Sequence, residues 1–334
     1  MNIPVDHGPM AFGALAALLA FTVSAFACKM LIPMLTRLKF GQQVREHGPK
    51  HHLKKSGTPT MGGLSILLGF LFSCSVVTFF VVPSSGESRA LAVMLATCGF
   101  GVIGFLDDYI KIRKKRSLGL RAYQKILGQL VVSAGFVLYW QHLPGSQTEV
   151  VIPFLPIGPW IDIGPFLPVF ACLVFLSSTN GSNLTDGLDG LNTGVTAIIA
   201  AFFLAVSWLW LQFDMIVATG AMIGALLGFL LFNSYPGKII MGDTGSLALG
   251  GFVAAVSLVL GMSFFLLIVA IIYVIESLSV IIQVGYFKLT GGKRFFKMAP
   301  IHHTFELIGW PETKIVSLFL TITALAALVG LSAL

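Results

Sequence analysis

Residues 90–106, ALAVMLATCGFGVIGFL, contain no charged side chain and are followed at once by Asp107 and Asp108. An apolar run of this length can cross the hydrocarbon core of a bilayer as a helix. Acidic side chains at the mouth of such a span are costly to bury and usually have a function. The stretch therefore predicts a membrane-spanning helix that carries a pair of carboxylates at one of its ends.

The rest of the chain has the same membrane-like composition. Of its 334 residues, 56% are hydrophobic and only 10% are charged, which excludes an ordinary soluble domain. We expect one integral-membrane domain, residues 1–334, with an all-α polytopic fold of about ten transmembrane helices. The predicted spans are 10–35, 60–82, 90–106, 126–143, 165–179, 191–211, 213–232, 244–260, 263–287 and 314–333.

The lysines and arginines predict how these spans are oriented. Most of the 21 basic residues fall in the connections after the first, third and ninth spans, and connections rich in Lys and Arg stay in the cytoplasm. An even number of spans then places both termini outside. It also places five aspartates at the cytoplasmic face, and we expect the active site there. These are Asp107, Asp108, Asp186, Asp189 and Asp243.

The connection 141–165 falls on the opposite, outer side. It contains no Lys or Arg and has too many prolines for a helix. Short extended segments joined by a Pro-Gly turn fit this composition better. We predict a small outer β-hairpin without a catalytic role.

Carboxylates surrounded by cations indicate a divalent metal and a phosphate-bearing substrate. Because the adjacent Asp107 and Asp108 repel each other, one can act as a base or handle phosphate while the other supports it. Lys111 lies one helical turn beyond Asp107 and can face the same site. Asp243, in residues 233–246, NSYPGKIIMGDTGS, stands at a predicted helix start, where exposed N–H groups favour anions. It is either a helix N-cap or a magnesium ligand.

A polar, glycine-rich segment joins the fifth and sixth spans. Residues 180–191, NGSNLTDGLDGL, present Asn180, Asn183, Asp186 and Asp189 at a spacing of three. This spacing aligns side chains on a helical turn. The segment lacks the twelfth-position glutamate of an EF-hand calcium loop. We therefore predict a substrate-binding segment.

Two lysines open predicted spans on the same face. Lys55 begins residues 55–63, KSGTPTMGG, in which the glycines can form an anion-accepting turn. Lys125 opens the fourth span in a similar way. Each lysine either binds phosphate or only anchors its helix at the membrane surface.

Two adjacent histidines follow the ninth span. His302 and His303, in residues 297–306, KMAPIHHTFE, could hold phosphate, act as acid or base, or bind a metal. A zinc site is disfavoured because no cysteine or second histidine stands at a suitable spacing. Glu276, inside the ninth span, is a functional candidate or a hydrogen-bonding partner of a neighbouring helix, and it stays outside the predicted site.

Five motifs follow one another along the chain: residues 55–63, KSGTPTMGG; 106–111, LDDYIK; 180–191, NGSNLTDGLDGL; 241–246, MGDTGS; and 298–303, MAPIHH. Together they resemble the bacterial phospho-N-acetylmuramoyl-pentapeptide transferases, a family of the polyprenyl-phosphate N-acetylhexosamine-1-phosphate transferase superfamily. The likeness covers essentially the whole chain. Each motif alone is modest, but five in this order are highly specific.

The resemblance implies a reaction of peptidoglycan biosynthesis at the bacterial cytoplasmic membrane. Phospho-MurNAc-pentapeptide would pass from UDP-MurNAc-pentapeptide to undecaprenyl phosphate, which gives lipid I and UMP and requires Mg²⁺. The family also implies a multi-pass homodimer that supports cell shape and division and is inhibited by nucleoside antibiotics. No nucleic-acid partner is expected.

The resemblance also implies roles for individual residues. Asp107, Asp108 and Asp243 would be catalytic, with Asp243 as the metal ligand, Asp107 as base or nucleophile towards the lipid phosphate, and Asp108 in support. Asp189 would lie near the uridine. The full set of implied substrate-binding residues is Lys55, Thr60, Lys111, Lys125, Asn180, Asn183, Asp186, Asp189, Asn233, His302 and His303.

The chain departs from the family pattern at two positions. Thr304 stands where many relatives have a third histidine, so no role passes to it. Ile240 stands where some relatives have Phe, which puts aromatic stacking on the uracil from that position in doubt.

Two rival functions have to be separated from this one. A related transferase that uses UDP-GlcNAc shares the aspartate motifs, although the Thr-Pro-Thr-Met-Gly-Gly and Met-Ala-Pro-Ile-His-His forms favour the muramoyl enzyme. An ion-coupled transporter of anionic solutes predicts acids near the bilayer midplane and internal repeats. The five aspartates instead lie at the ends of the predicted helices, and no internal repeat is evident.

Overall fold

The computed structural model describes residues 8–38, 57–81, 89–114, 116, 118–143, 146–155 and 160–334. The predicted residue Lys55 lies outside this part of the chain. Within it the helices are α1 Gly8–Arg37, α2 Gly63–Val76, α3 Arg89–Arg113, α4 Ala122–Gln141, α5 Leu167–Thr185, α6 Leu191–Leu209, α7 Phe213–Asn233, α8 Gly242–Val259, α9 Leu266–Val269, α10 Ile271–Leu289, α11 Ile301–Leu307 and α12 Glu312–Ser332. The strands are β1 Glu149–Val150 and β2 Ile161–Asp162.

The all-α polytopic fold is confirmed. In the described part of the chain, 9 helices are long and apolar enough to cross a membrane. The fourth predicted span, 126–143, corresponds to α4, which has 20 residues but falls outside that set. A helix of this length still matches the thickness of the hydrocarbon core.

Helix α8 lies at the centre of the bundle. It is almost wholly buried and packs against α3 and α5, whereas α1, α10 and α12 expose most of their surface. Two glycines allow this close packing, because a Cβ at Gly104 would collide with the Asp243 carbonyl and one at Gly63 with the Gly245 backbone. The absence of side chains there lets α2 and α3 approach the start of α8. This packing places Asp243 beside the acidic end of α3.

The predicted hairpin forms at the far end of the bundle. Strands β1 and β2 are antiparallel, with Glu149 opposite Asp162. The following residue, Val151, donates its N–H to the Gly261 carbonyl, 2.7 Å away, beyond the end of α8. The opposite end of α8 carries Asp243, so the hairpin and the acidic cluster lie at opposite ends of the bundle.

Two predicted helix boundaries are wrong, and the reason is the same for both. Helix α3 continues to Arg113, so Asp107 and Asp108 lie within the helix and not at its end. Helix α5 continues to Thr185, so Asn180 and Asn183 are helical and do not belong to a connection. In both cases the apolar run ends before the helix does, because polar side chains with partners can continue a helix beyond its apolar segment.

Two further differences concern the region after α8. The predicted ninth span, 263–287, is divided at Ala270 into α9 and α10. No proline or glycine marks this break, so a prediction from hydropathy treats the two helices as one span. The predicted basic loop with His302 and His303 contains the short helix α11, which follows Pro300 as its N-cap residue.

Candidate active site

Three carboxylates from two helices form the centre of the site. Asp107 and Asp108 of α3 and Asp243 of α8 each present one oxygen, and these oxygens lie within 4.8 Å of one another. The first two residues are 2% and 3% exposed, and Asp243 is partly exposed. Clustered carboxylate oxygens are hard ligands of the kind that Mg²⁺ prefers, so this donor set fits the implied metal.

Two lysines hold the carboxylates together. Lys111 Nζ lies 2.6 Å from Asp107 Oδ2 and 3.0 Å from Asp243 Oδ2. Lys125 Nζ, from the first turn of α4, lies 2.6 Å from the same Asp243 oxygen. Three carboxylates thus face two ammonium groups. The surplus negative charge in a poorly solvated site attracts a cation, while the lysines remain close enough to bind phosphate oxygens.

Asp107 and Asp108 are held by different backbone groups. Asp107 Oδ1 accepts the Leu120 N–H at 2.8 Å, and a Cβ at Gly119 would collide with this carboxylate. Asp108 Oδ2 accepts both the N–H of Thr244, at 2.9 Å, and its hydroxyl, at 2.7 Å. Asp108 is therefore fastened to the first turn of α8, whereas Asp107 is fastened to the segment before α4.

Asp243 is not a helix cap. Helix α8 begins at Gly242 with Met241 as the N-cap residue, which excludes the N-cap alternative for Asp243. Its Oδ1 accepts the Asn183 amide at 2.9 Å. The same amide nitrogen lies 2.8 Å from Ser246 Oγ, so α5 is fixed to the site.

Gly242 also brings the second span to the site. Its φ of +75° lies in the left-handed region, which favours glycine. A Cβ at this position would fall 2.7 Å from Asp108 Oδ2 and 2.9 Å from Thr60 Oγ1. The predicted residue Thr60 therefore lies next to Gly242, directly beside the carboxylate cluster.

Asn180 lies one helical turn deeper in the bundle than the Asp243 contacts. Its amide donates to Gln129 Oε1 at 3.1 Å and to the Leu176 carbonyl at 2.8 Å. Gln129 is fully buried in α4, one turn beyond Lys125. The pair joins α4 and α5 directly below the carboxylate cluster.

Asp189 and Asn233 organise a second group at the same end of the bundle. Asp189 Oδ2 accepts the Gly237 N–H at 2.8 Å, and the Asp189 N–H donates to Glu312 Oε1 at 2.6 Å. Asn233 Oδ1 accepts from the Gly190 N–H at 3.1 Å and from the Thr193 hydroxyl at 2.8 Å. Asn233 is only 4% exposed, and these bonds hold the end of the connection between α5 and α6 in place.

Asp186 lies between the two groups, immediately after α5. Burial raises the pKa of its carboxyl well above the usual range, and the charges of Asp243, Asp108 and Asp189 raise it further. A hydrogen bond with the Gly242 backbone acts in the opposite direction. The folded protein therefore favours the protonated carboxyl at this position more than the unfolded chain does.

The two histidines have different surroundings. His302 is fully buried, and its Nδ1 lies 3.0 Å from Glu276 Oε1. His303 is partly exposed, and its Nδ1 lies 2.6 Å from Glu306 Oε2. The family departure at Thr304 has a local role, since its hydroxyl donates to the Met298 carbonyl and accepts the Met298 N–H.

The structure brings most of the predicted residues to one end of the bundle. Asp107, Asp108, Asp243, Lys111 and Lys125 form one contacting cluster. Several contributors were missed because their role depends on packing across helices, which hydropathy does not report. They are Gln129, Thr244, Glu306 and Glu312. Glu276 was named from the sequence as a carboxylate inside a span and left outside the predicted site; it bonds to the neighbouring helix α11.

Comparison with known proteins gives the family of this site. The sequence profile of glycosyl transferase family 4 matches residues 90–261. Signature 1 of the phospho-N-acetylmuramoyl-pentapeptide-transferases matches residues 55–67. The first range includes the whole carboxylate cluster, and the second includes Thr60.

Full-length relatives carry the same name. The phospho-N-acetylmuramoyl-pentapeptide-transferase of Acetivibrio thermocellus is 48% identical over 335 residues, covering 100% of this chain and 98% of the relative. That of Halalkalibacterium halodurans is 47% identical over 95% of this chain and 96% of the relative. That of Clostridium kluyveri is 46% identical over 94% of this chain and 97% of the relative. The chain belongs to the phospho-N-acetylmuramoyl-pentapeptide-transferase family.

Proposed function

We propose that this chain transfers phospho-MurNAc-pentapeptide from UDP-MurNAc-pentapeptide to undecaprenyl phosphate, which yields lipid I and UMP in peptidoglycan synthesis at the bacterial cytoplasmic membrane. The observation that carries the proposal is the cluster of Asp107, Asp108 and Asp243 bridged by Lys111 and Lys125. Full-length similarity to enzymes of this name supports the choice of substrates.

Asp107, Asp108 and Asp243 would hold Mg²⁺, so the geometry adds two candidate ligands to the one expected from the sequence. When bound, the ion would neutralise charge on the pyrophosphate oxygens of the substrate. Lys111 and Lys125 would bind further phosphate oxygens, since both ammonium groups already converge on Asp243.

The reaction exchanges one phosphorus–oxygen bond for another. An oxygen of the lipid phosphate attacks the phosphorus that bears the sugar, and the bond from that phosphorus to the UMP oxygen breaks. We assign Asp107 the reacting role, either taking a proton from the lipid phosphate or attacking first as a nucleophile. We assign Asp108 a supporting role because Thr244 holds its Oδ2 with two hydrogen bonds.

The substrate-binding residues would divide along the site. Thr60, Asn180 and Asn183 lie beside the carboxylate cluster and would surround the phosphates, with Lys55 added from the same signature. Asp186, Asp189 and Asn233 would surround the nucleotide. His302 and His303 would bind or position the sugar-phosphate, the partly exposed His303 by direct contact. The whole chain, 1–334, would act as one domain, with this end of the bundle in the cytoplasm.

The family likeness extends the proposal to assembly and inhibition. We expect a homodimer in the membrane and inhibition by nucleoside antibiotics that compete with UDP-MurNAc-pentapeptide. Light scattering of the purified protein in detergent tests the first expectation. Inhibition assays at several UDP-substrate concentrations test the second.

The substrate assignment is tested with purified protein, undecaprenyl phosphate and Mg²⁺. Radiolabelled UDP-MurNAc-pentapeptide and UDP-GlcNAc are compared in parallel, and the lipid product is extracted. The proposal predicts labelled lipid from the muramoyl substrate. Efficient use of UDP-GlcNAc alone would assign the chain to the rival transferase reaction. Solute uptake by proteoliposomes without UMP release would favour a transporter.

A further inference from the structure

The carboxylate of Glu276 is fully buried inside α10, yet both of its oxygens have partners outside that helix. Oε1 lies 3.0 Å from His302 Nδ1, and Oε2 accepts the Ile301 N–H at 2.9 Å. A buried carboxylate in a membrane span is costly unless it is hydrogen-bonded, and these two bonds compensate the cost. Glu276 thereby holds in place the beginning of α11 and the imidazole of His302, which lies on α11.

The hydrogen bond also decides how the imidazole is presented. With Glu276 as a carboxylate, which only accepts hydrogen bonds, the 3.0 Å contact is made when Nδ1 of His302 carries the proton. The other ring nitrogen, Nε2, is buried and has no hydrogen-bond partner among the described residues. It lies against Gly187, where an added Cβ would collide with it. A carboxylate that orients an imidazole through one nitrogen controls what the other nitrogen can contact.

Gly187 belongs to the connection between α5 and α6, which also carries Asp186 and Asp189. His302 therefore packs on the same segment whose carboxylates we place around the nucleotide. A continuous series of contacts leads from Glu276 in the membrane, through His302, to this segment at the end of the bundle.

We propose that Glu276 is a positioning residue for the transferase reaction, acting through His302 on the nucleotide-binding connection at Gly187. The proposal rests on the function proposed above. It predicts that loss of the Glu276 carboxylate weakens binding of the nucleotide more than binding of the lipid phosphate. A purely structural carboxylate would instead change the amount of folded protein without this selectivity.

The first test measures UMP binding by calorimetry and the KM of both substrates. Glu276→Gln keeps the size of the side chain but cannot accept both hydrogen bonds. We expect UMP binding and the apparent affinity for UDP-MurNAc-pentapeptide to fall about tenfold or more, by analogy with the loss when a carboxylate that orients a metal-bound histidine is removed. The KM for undecaprenyl phosphate should stay within about twofold of the wild-type value.

The matched control is Gln283→Leu. Gln283 also lies on α10 and accepts the Phe296 N–H at 2.8 Å, so it fastens the segment between α10 and α11 through a residue other than His302. UMP binding should remain at the wild-type level in this variant. An equal loss of UMP binding in both variants would mean that any weakening of the segment between α10 and α11 has this effect, and it would overturn the proposal.

A double-mutant cycle in UMP binding tests whether Glu276 acts through His302. In a His302→Ala background, Glu276→Gln should change the dissociation constant by less than about threefold, because coupled residues are not additive. Fully additive losses would contradict the proposal. Should Glu276→Gln fail to fold, Gly187→Ala provides a second variant that displaces the imidazole and should give the same selective loss.

The two proposals fail in different ways. Absence of UMP release by the wild-type protein from either UDP-sugar overturns the proposed function and this inference with it. Wild-type turnover together with unchanged UMP binding in Glu276→Gln and Gly187→Ala overturns the positioning role alone.

Discussion

Lys125 Nζ lies 2.6 Å from Asp243 Oδ2, although the two residues are 118 positions apart in the sequence. The contact joins the first turn of α4 to the first turn of α8. Lys111 Nζ reaches the same oxygen at 3.0 Å. One carboxylate oxygen thus organises two ammonium groups where the phosphates of the proposed substrate would lie.

Replacing Lys125 tests whether this ammonium group acts on phosphate. We expect Lys125→Met to lower the rate of UMP release about a hundredfold, since a preorganised charge at the reacting phosphates is worth several kcal/mol. Lys125→Arg should retain more activity than Lys125→Met because it keeps the charge. The control is Lys314→Met, whose ammonium group lies over the Trp310 ring and should have little effect. Wild-type rates for Lys125→Met would contradict the assignment.

Adding a methyl group at Gly119 tests the placement of Asp107. A Cβ there would collide with the Asp107 carboxylate, so Gly119→Ala should displace it and lower kcat at least tenfold. Gly135→Ala adds the same methyl group on α4, where no atom of the described residues lies within 4 Å of it apart from the adjacent backbone of its own helix, and should leave kcat unchanged. Both rates come from UMP release at saturating substrate. Equal activity of the two variants would show that the position of Asp107 does not matter.

Thr244 tests the supporting role of Asp108. Thr244→Val removes the hydroxyl donor and leaves the backbone N–H bond to Asp108 Oδ2 in place. A lost hydrogen bond to a buried charged group costs about 1.5–3 kcal/mol, so the melting temperature in detergent should fall and kcat should fall with it. Thr321→Val, which removes an exposed hydroxyl within α12, is the control. A Thr244 variant with unaltered stability and kcat would contradict this role.

The raised pKa of Asp186 leads us to expect that the stability of the protein depends on pH. Its pKa is raised in the folded protein, so the protonated form is favoured by folding, and its contribution to stability is lost as pH rises from the usual carboxyl range through the raised value. Asp186→Asn should therefore raise the melting temperature at neutral pH and have less effect near pH 4 when measured with EDTA present. A melting temperature below that of the wild type at neutral pH would contradict the prediction that the raised pKa of Asp186 reduces stability there.

The fold was largely predictable, because long apolar segments and basic connections follow directly from the solvent properties of a bilayer. The hairpin also followed from local composition. Helix ends did not, since Asp107 and Asn183 continue their helices through contacts with Lys111 and Asp243 that hydropathy cannot detect. The break at Ala270 carries no local sequence signal at all.

The site was predictable in its residue types but not in its pairing. Motifs and family likeness marked the aspartates, lysines and histidines, whereas their geometry depends on glycines that admit close helix packing. Gly104 and Gly63 bring α2 and α3 against α8, and Gly187 admits His302. Partners such as Thr244 and Gln129 are ordinary residues in their own helices. They acquire a role only through contacts across the bundle.

The dependence on magnesium is tested separately from the mutations. Treatment with EDTA should abolish UMP release, and added Mg²⁺ should restore it, because the three carboxylates outnumber the two neighbouring ammonium groups. Titration calorimetry should detect Mg²⁺ binding to the wild type and not to Asp243→Asn. Full activity in EDTA would contradict the metal assignment.

The central claim is that Asp107, Asp108 and Asp243 together carry the transfer of phospho-MurNAc-pentapeptide. The most direct measurement is UMP release from UDP-MurNAc-pentapeptide, with undecaprenyl phosphate and Mg²⁺, by the purified wild type and by Asp107→Asn, Asp108→Asn and Asp243→Asn. We predict turnover by the wild type and at least a hundredfold loss in each variant, with all four proteins monodisperse in detergent. Normal turnover in the three folded variants would contradict the account.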